Sequence, residues 1–138
     1  VAEDTVTFNQ FVLRQDPNNA RAHNALGNAL VALGRPAEGR QHFQTAVRLK
    51  PDFDEAHYHL GVMAALDRNP AVAEQEFLAT VASNPEHYKA RNNLGKLFLD
   101  QKRVEEARAQ FEAVLKLNPG DPIATANLEL VQRVRGAR

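Results

Sequence analysis

The chain has no cysteine and no tryptophan, a single methionine and two tyrosines among its 138 residues. Without cysteine it has no disulfide, no thiolate nucleophile and no cysteine-ligated zinc site. It also lacks an excess of charge of either sign. Seventeen Lys and Arg balance seventeen Asp and Glu. A general nucleic-acid binder needs a basic surface to neutralise phosphates, so no nucleic-acid partner is expected. No run of eighteen apolar residues occurs, so no membrane insertion is expected. Missing thiols are compatible with the cytoplasm and with an oxidising space such as the periplasm alike. The chain begins on Val1 rather than Met, as expected of a processed piece of something longer. What it does contain is ordinary for a folded domain: 43% hydrophobic and 25% charged residues, enough to form a core and too many to be read as disorder.

The informative feature is periodicity. Pro17, Pro51, Pro85 and Pro119 stand at a constant 34-residue step. Gly27, Gly61 and Gly95 keep the same step, as do Phe43, Phe77 and Phe111. Two further columns, Ala22/Ala56/Ala90/Ala124 and Leu26/Leu60/Leu94/Leu128, run in the same phase. Such coincidence is the signature of a repeat architecture. Inside each repeat the period is helical. Ala22, Leu26, Ala29, Leu30 and Leu33 fall at three- and four-residue steps, and so do Phe43, Ala46 and Val47. The two runs are separated by Gly34-Arg35-Pro36, where Gly34 can end one helix and Pro36 begin the next. Asp67-Arg68-Asn69-Pro70 and Asp100-Gln101-Lys102 mark the equivalent breaks. Each repeat is therefore predicted to be a pair of antiparallel helices.

The segments AHNALGNAL, AHYHLGVMA and ARNNLGKLF, with GRQHFQTAVRLKP, AEQEFLATVASNP and ARAQFEAVLKLNP, resemble the two helices of the tetratricopeptide repeat. The resemblance implies an all-α solenoid of antiparallel helix pairs wound into a right-handed superhelix, about eight helices in all. The first helices would line its concave face. As one domain over 1–138, the chain divides into a lone second-type helix (1–16), repeats at 17–50, 51–84 and 85–118, and a C-terminal capping helix (119–138). Departures are visible. The large aromatic that the family carries four residues before the glycine is replaced by His23, His57 and Arg91. The alanine three residues after the phenylalanine is kept as Ala46 but becomes Thr80 and Val114. Glu129 replaces the glycine in the last helix, which is therefore expected to be a solvating end.

No catalytic constellation emerges, and no enzyme is expected. His57 and His59 are two apart on a helix and do not face each other. His23 and His57 share a column and could approach one another, with half-buried packing the plainer expectation. His42 and His87 read as surface residues. Asp52, Asp54 and Glu55 read as helix-start residues favoured by the dipole rather than a calcium site. No metal and no cofactor is expected. Arg133, Arg135 and Arg138 read as a frayed basic tail.

The concave face carries the functional expectation. Counting from each repeat glycine, it receives Arg21, Asn24, Ala25, Asn28, Val31 and Ala32 from the first repeat. The second supplies Glu55, Tyr58, His59, Val62, Ala65 and Leu66. The third supplies Lys89, Asn92, Asn93, Lys96, Leu99 and Asp100. The polar members are the candidate peptide-contact residues. Asparagine offers both a donor and an acceptor, suited to clamping an extended backbone. Tyr58 is an amphipathic plate of the kind found at interface anchors. The expected partner is a protein: an extended peptide or a helix. In the family variant that grips the C-terminal carboxylate of heat-shock chaperones, the matching positions here are Asn24, Asn28, His59, Lys89 and Asn93. Of these only Asn28 and Lys89 keep the clamp residue. Asn93 alone matches the asparagine column of the arrays attached to glycosyltransferases. The alternative expectation is the assembly tail of a larger, membrane-bound bacterial protein, self-associating through its end helices and the exposed apolar edge of residues 3–15.

Overall fold

The computed structural model describes residues 1–136; Ala137 and Arg138, and with Arg138 the end of the expected basic tail, lie outside the described residues. Eight α-helices occupy them: α1 (Ala2–Gln15), α2 (Ala20–Ala32), α3 (Pro36–Leu49), α4 (Asp54–Leu66), α5 (Pro70–Ser83), α6 (Tyr88–Asp100), α7 (Val104–Leu117) and α8 (Pro122–Gly136). No strand occurs among the described residues. The chain divides into two compact units, Val1–Glu76 and Phe77 onward, with the division inside α5.

In the first unit α1 packs on α2, α2 on α3 and α3 on α4. Val6 of α1 shares a core with Leu26, Ala29 and Leu30 of α2. Phe43 of α3 packs with Leu60 and Met63 of α4. The glycine column explains the closeness of α2 and α3. A β-carbon on Gly27 would stand 2.8 Å from the Phe43 ring and 2.9 Å from the Gly39 carbonyl oxygen. In the second unit α6 packs on α7 and α7 on α8. There a β-carbon on Gly95 would stand 2.6 Å from the Phe111 ring. Phe43, Phe77 and Phe111 are among the largest fully buried side chains.

The turns repeat as faithfully as the core. Gly34 adopts a left-handed conformation with φ 76°, and the residues one and two steps later, Arg68 (φ 57°) and Lys102 (φ 61°), do the same without being glycine. Helix starts also form a column. Asn19 caps α2 through the Ala22 amide at 3.0 Å, His87 caps α6 through Ala90 at 3.1 Å, and Asp121 caps α8 through Ala124 at 2.8 Å. In α4 this place is Phe53, which makes no side-chain cap bond. Its ring is instead buried against Ala46 and Ala56. Asp54 and Glu55 thus sit in the first turn, where the helix dipole favours them, and Asp52 is not the cap.

The C-terminal reading needs correction. Arg133 and Arg135 lie in the last turn of α8, and Arg135 pairs with Glu105 at 3.1 Å, so they belong to an ordered helix end. Glu129 and its neighbour Leu130 are exposed, consistent with an end helix that presents a solvated side.

Candidate functional site

The histidines are the first chemistry-bearing residues to place. His23 and His57 do not meet. Each bridges within its own hairpin, and Arg91 does the same in the second unit. His23 Nε2 donates to the Pro17 carbonyl at 2.9 Å, and its Nδ1 lies 3.0 Å from Nδ1 of His42. His57 bonds the Pro51 carbonyl through Nε2 and Glu76 through Nδ1, each at 2.7 Å. Arg91 donates to the Pro85 carbonyl at 2.8 Å and to Gln110 at 3.0 Å. The column that the family fills with a large aromatic is here a polar latch. It ties the loop before the first helix to the second helix nineteen residues on.

The latches differ in the partners they offer the ring nitrogens. Because the Pro17 carbonyl accepts from Nε2 of His23, a neutral His23 ring presents a bare Nδ1, and His42 Nδ1 supplies the shared proton. Burial, then the facing His23, holds the His42 imidazole below its ordinary pKa of 6.5, with Glu38 opposing. The His57 ring faces two acceptors, so both bonds form together only when both nitrogens carry protons. These rings are engaged in holding hairpins together. His42 and His87 are half-buried rather than superficial: His42 stacks on His23 with ring centroids 5.3 Å apart, and His87 is the α6 cap.

The expected groove residues lie on two faces, one in each unit. In the first unit, Arg21 and Asn28 of α2 and Glu55 of α4 are exposed, while Asn24, Tyr58 and His59 are half-buried. The Oδ1 of Asn24 is buried and has no hydrogen-bond partner in the structure. Tyr58 leans on His59 at 5.8 Å, and His59 stacks on Phe43 at 4.7 Å. His59 is therefore a support beneath the face as much as part of it. In the second unit, Lys89 and Lys96 of α6 are exposed and Asn93 is half-buried.

Asn92, expected on the same face, is buried. It is only 4% exposed, and its amide donates to Asp121 Oδ2 at 3.1 Å. The same carboxylate oxygen accepts the Ala124 amide, so Asn92 braces the start of α8. Its Oδ1 is buried and has no hydrogen-bond partner in the structure.

The face expected from the sequence ends at the third repeat. One further 34-residue step leads to α8, where Ile123, Leu130 and Val134 are 51%, 41% and 37% exposed. They stand in the columns of Lys89, Lys96 and Asp100. The signal was present in the numbering. In the second unit the face thus runs from a lysine-bearing helix to an apolar one, and α6 is in contact with α8. A shallow cavity of about 190 Å³ in the first unit is lined by Arg40, Gln44, Leu60 and Asp67. It holds none of the face residues, and two of its polar lining residues, Arg40 and Asp67, form an ion pair.

Among the described residues no helix is long and apolar enough to cross a membrane. The family model described as Tetratricopeptide repeat matches residues 8–52, 24–80 and 67–122. A search of curated proteins finds no significant match. Among solved structures, MamA superposes with a TM-score of 0.83 at 23% identity, over 95% of this chain and 77% of that one. YrrB, described as a TPR protein with an unusual peptide-binding site, has a TM-score of 0.80 at 25% identity, over 99% and 71%. The first TPR of Spaghetti (RPAP3), solved with the HSP90 peptide SRMEEVD, has a TM-score of 0.79 at 23% identity, over 88% and 96%.

Proposed function

Since the chain belongs to the tetratricopeptide repeat family, we propose that it is a non-catalytic binding module that takes an extended peptide or a partner helix on its first-type helices, with residues 17–118 as three working repeats. The observation that carries this reading is a division of labour along the 34-residue register. Several polar residues at inner columns are engaged in latches or in bracing a helix start, as His23, His57, Arg91 and the Asn92 amide are. Those at outer columns, Arg21, Asn28, Lys89 and Lys96, are left in water. A polar side chain that neither caps nor latches is available for an incoming backbone.

The fold neighbours lend support from outside the chain: YrrB and the RPAP3 repeat are each described with a peptide site or a bound peptide. A carboxylate clamp of the second kind is not the reading favoured here, because only Asn28 and Lys89 keep clamp residues. The second unit instead offers two exposed lysines on α6 and exposed Ile123 and Leu130 on α8, two helices in contact, a combination suited to peptides with acidic and apolar side chains.

The test is a peptide-array screen followed by titration of the hits. Asn28→Ala and Lys89→Ala each weaken binding by about tenfold, the scale of one charge-assisted or well-placed polar contact, without moving the melting temperature. A screen that yields no binder sensitive to these substitutions overturns the reading.

A further inference from the structure

The first hairpin differs from the other two in what meets across it. His57 faces Glu76 and Arg91 faces Gln110, whereas His23 faces a second imidazole, His42. The two Nδ1 atoms stand 3.0 Å apart. The other nitrogen of His23, Nε2, bonds the Pro17 carbonyl at 2.9 Å. Metal-ligating histidines are fixed in this way: the carbonyl keeps the proton on one nitrogen and leaves the lone pair of the other free. Both residues stand on packed helices. His23 follows Ala22, whose amide is capped by Asn19, and His42 precedes the fully buried Phe43. The same two helices approach closely at Gly39, where a β-carbon would stand 2.7 Å from the Gly27 carbonyl oxygen. The backbone therefore sets the spacing of the two rings, and both rings are half-buried, so water still reaches them.

We propose that His23 and His42 form a site for a divalent transition-metal ion of the zinc class, held through the two Nδ1 atoms with water completing its shell. Two imidazole nitrogens on one tetrahedral ion, each about 2.0–2.1 Å from it, stand about 3.3 Å apart. The pair reaches that spacing by parting about 0.3 Å and tilting until both lone pairs meet at the ion. Without an ion, His42 Nδ1 supplies the proton of the shared bond. With one, His42 carries that proton on Nε2 and gives its Nδ1 lone pair to the ion, so the neutral pair loses no proton overall. Imidazole suits zinc, nickel and copper, whereas magnesium and calcium require oxygen ligands. Copper(II) binds more tightly than zinc, following the general order of divalent affinities. The ion takes the place of a shared proton and ties the start of α2 more firmly to α3.

The test is a titration of the untagged 138-residue chain with zinc chloride near neutral pH, followed by long-range proton–nitrogen NMR of the imidazoles. Zinc binds with a dissociation constant of about 10–100 μM, a range set by two protein ligands rather than the four of a structural site. It shifts Nδ1 of His23 and of His42, leaves the rings of His57, His59 and His87 in place, and raises the melting temperature by several degrees. Magnesium chloride changes none of these. His42→Gln weakens zinc binding by about tenfold or more. The hairpin accepts glutamine in this column, as Gln110 shows. His57→Gln leaves the affinity unchanged. If His42→Gln unfolds, the imidazole shifts of the parent chain decide. His23 and His42 signals unmoved at about 1 mM zinc, full affinity in His42→Gln, or binding lost in His57→Gln overturns the proposal. None of these results touches the peptide reading, whose contact residues stand in other columns.

Discussion

At the scale of single residues, the repeat stands on pairs of unequal size. A methyl on Gly27 or Gly95 has no room beside Phe43 or Phe111, because the obstruction is a buried ring rather than a flexible tail. Gly95→Ala should therefore destabilise the chain by about 1–3 kcal/mol, the usual cost of overpacking, as read by urea denaturation. Asn92 gives a sharper contrast with the exposed face. Asn92→Ala removes a buried bond to Asp121 and should cost about 1–2 kcal/mol, whereas Lys89→Ala should cost nothing measurable. The His42 imidazole titrates below 6.5 in the folded chain, so between that lowered value and 6.5 the unfolded chain binds more protons than the folded one. Its stability contribution is present above pH 6.5 and is lost as the pH falls through this window. The groups facing it are His23 and Glu38. His42→Gln should flatten the pH dependence of the melting temperature between pH 7.5 and 5.5 relative to the parent chain.

At the scale of elements, the turns show how far a repeat tolerates imperfect residues. Gly34, Arg68 and Lys102 occupy one left-handed position. A side chain with a β-carbon is strained there by about 1 kcal/mol. Arg68→Gly and Lys102→Gly should each raise the melting temperature by about 2–4 °C, and Gly34→Ala should lower it by a similar amount. Neither Arg68 nor Lys102 could be recognised from propensity. The turn was legible from Asn69-Pro70, but which residue carries the positive φ depends on the register shared with Gly34. The α4 start makes the same point. At Asn19 and Asp121 the cap is made by side chains suited to it. At Phe53 a capping bond is replaced by burial against the preceding helix, a choice made by packing.

At the scale of the whole molecule, the zero net charge conceals an asymmetry. Through Glu76 the sequence has seven basic and ten acidic residues; from Phe77 onward it has ten basic and seven acidic. On the proposed reading, an acidic peptide should favour the second unit. Binding of such a peptide should weaken steadily as ionic strength rises from 50 to 500 mM, as screening of exposed charges requires. Lys89→Glu with Lys96→Glu should remove that salt dependence along with most of the affinity.

What the linear order of residues determined was the period, the helix pairs and the identity of the small and bulky columns. These are local or strictly periodic properties: a helix face repeats every three to four residues and a nested hairpin every 34, and both leave a mark in sequence. Tertiary structure alone decided which polar side chains of those faces remain in water. Asn92 and Lys89 look equally available on one helix. Only the arrival of Asp121 from α8 buries the first and spares the second. A hydrogen bond between residues 29 apart depends on where two helices come to rest, and no spacing rule along one helix contains that information.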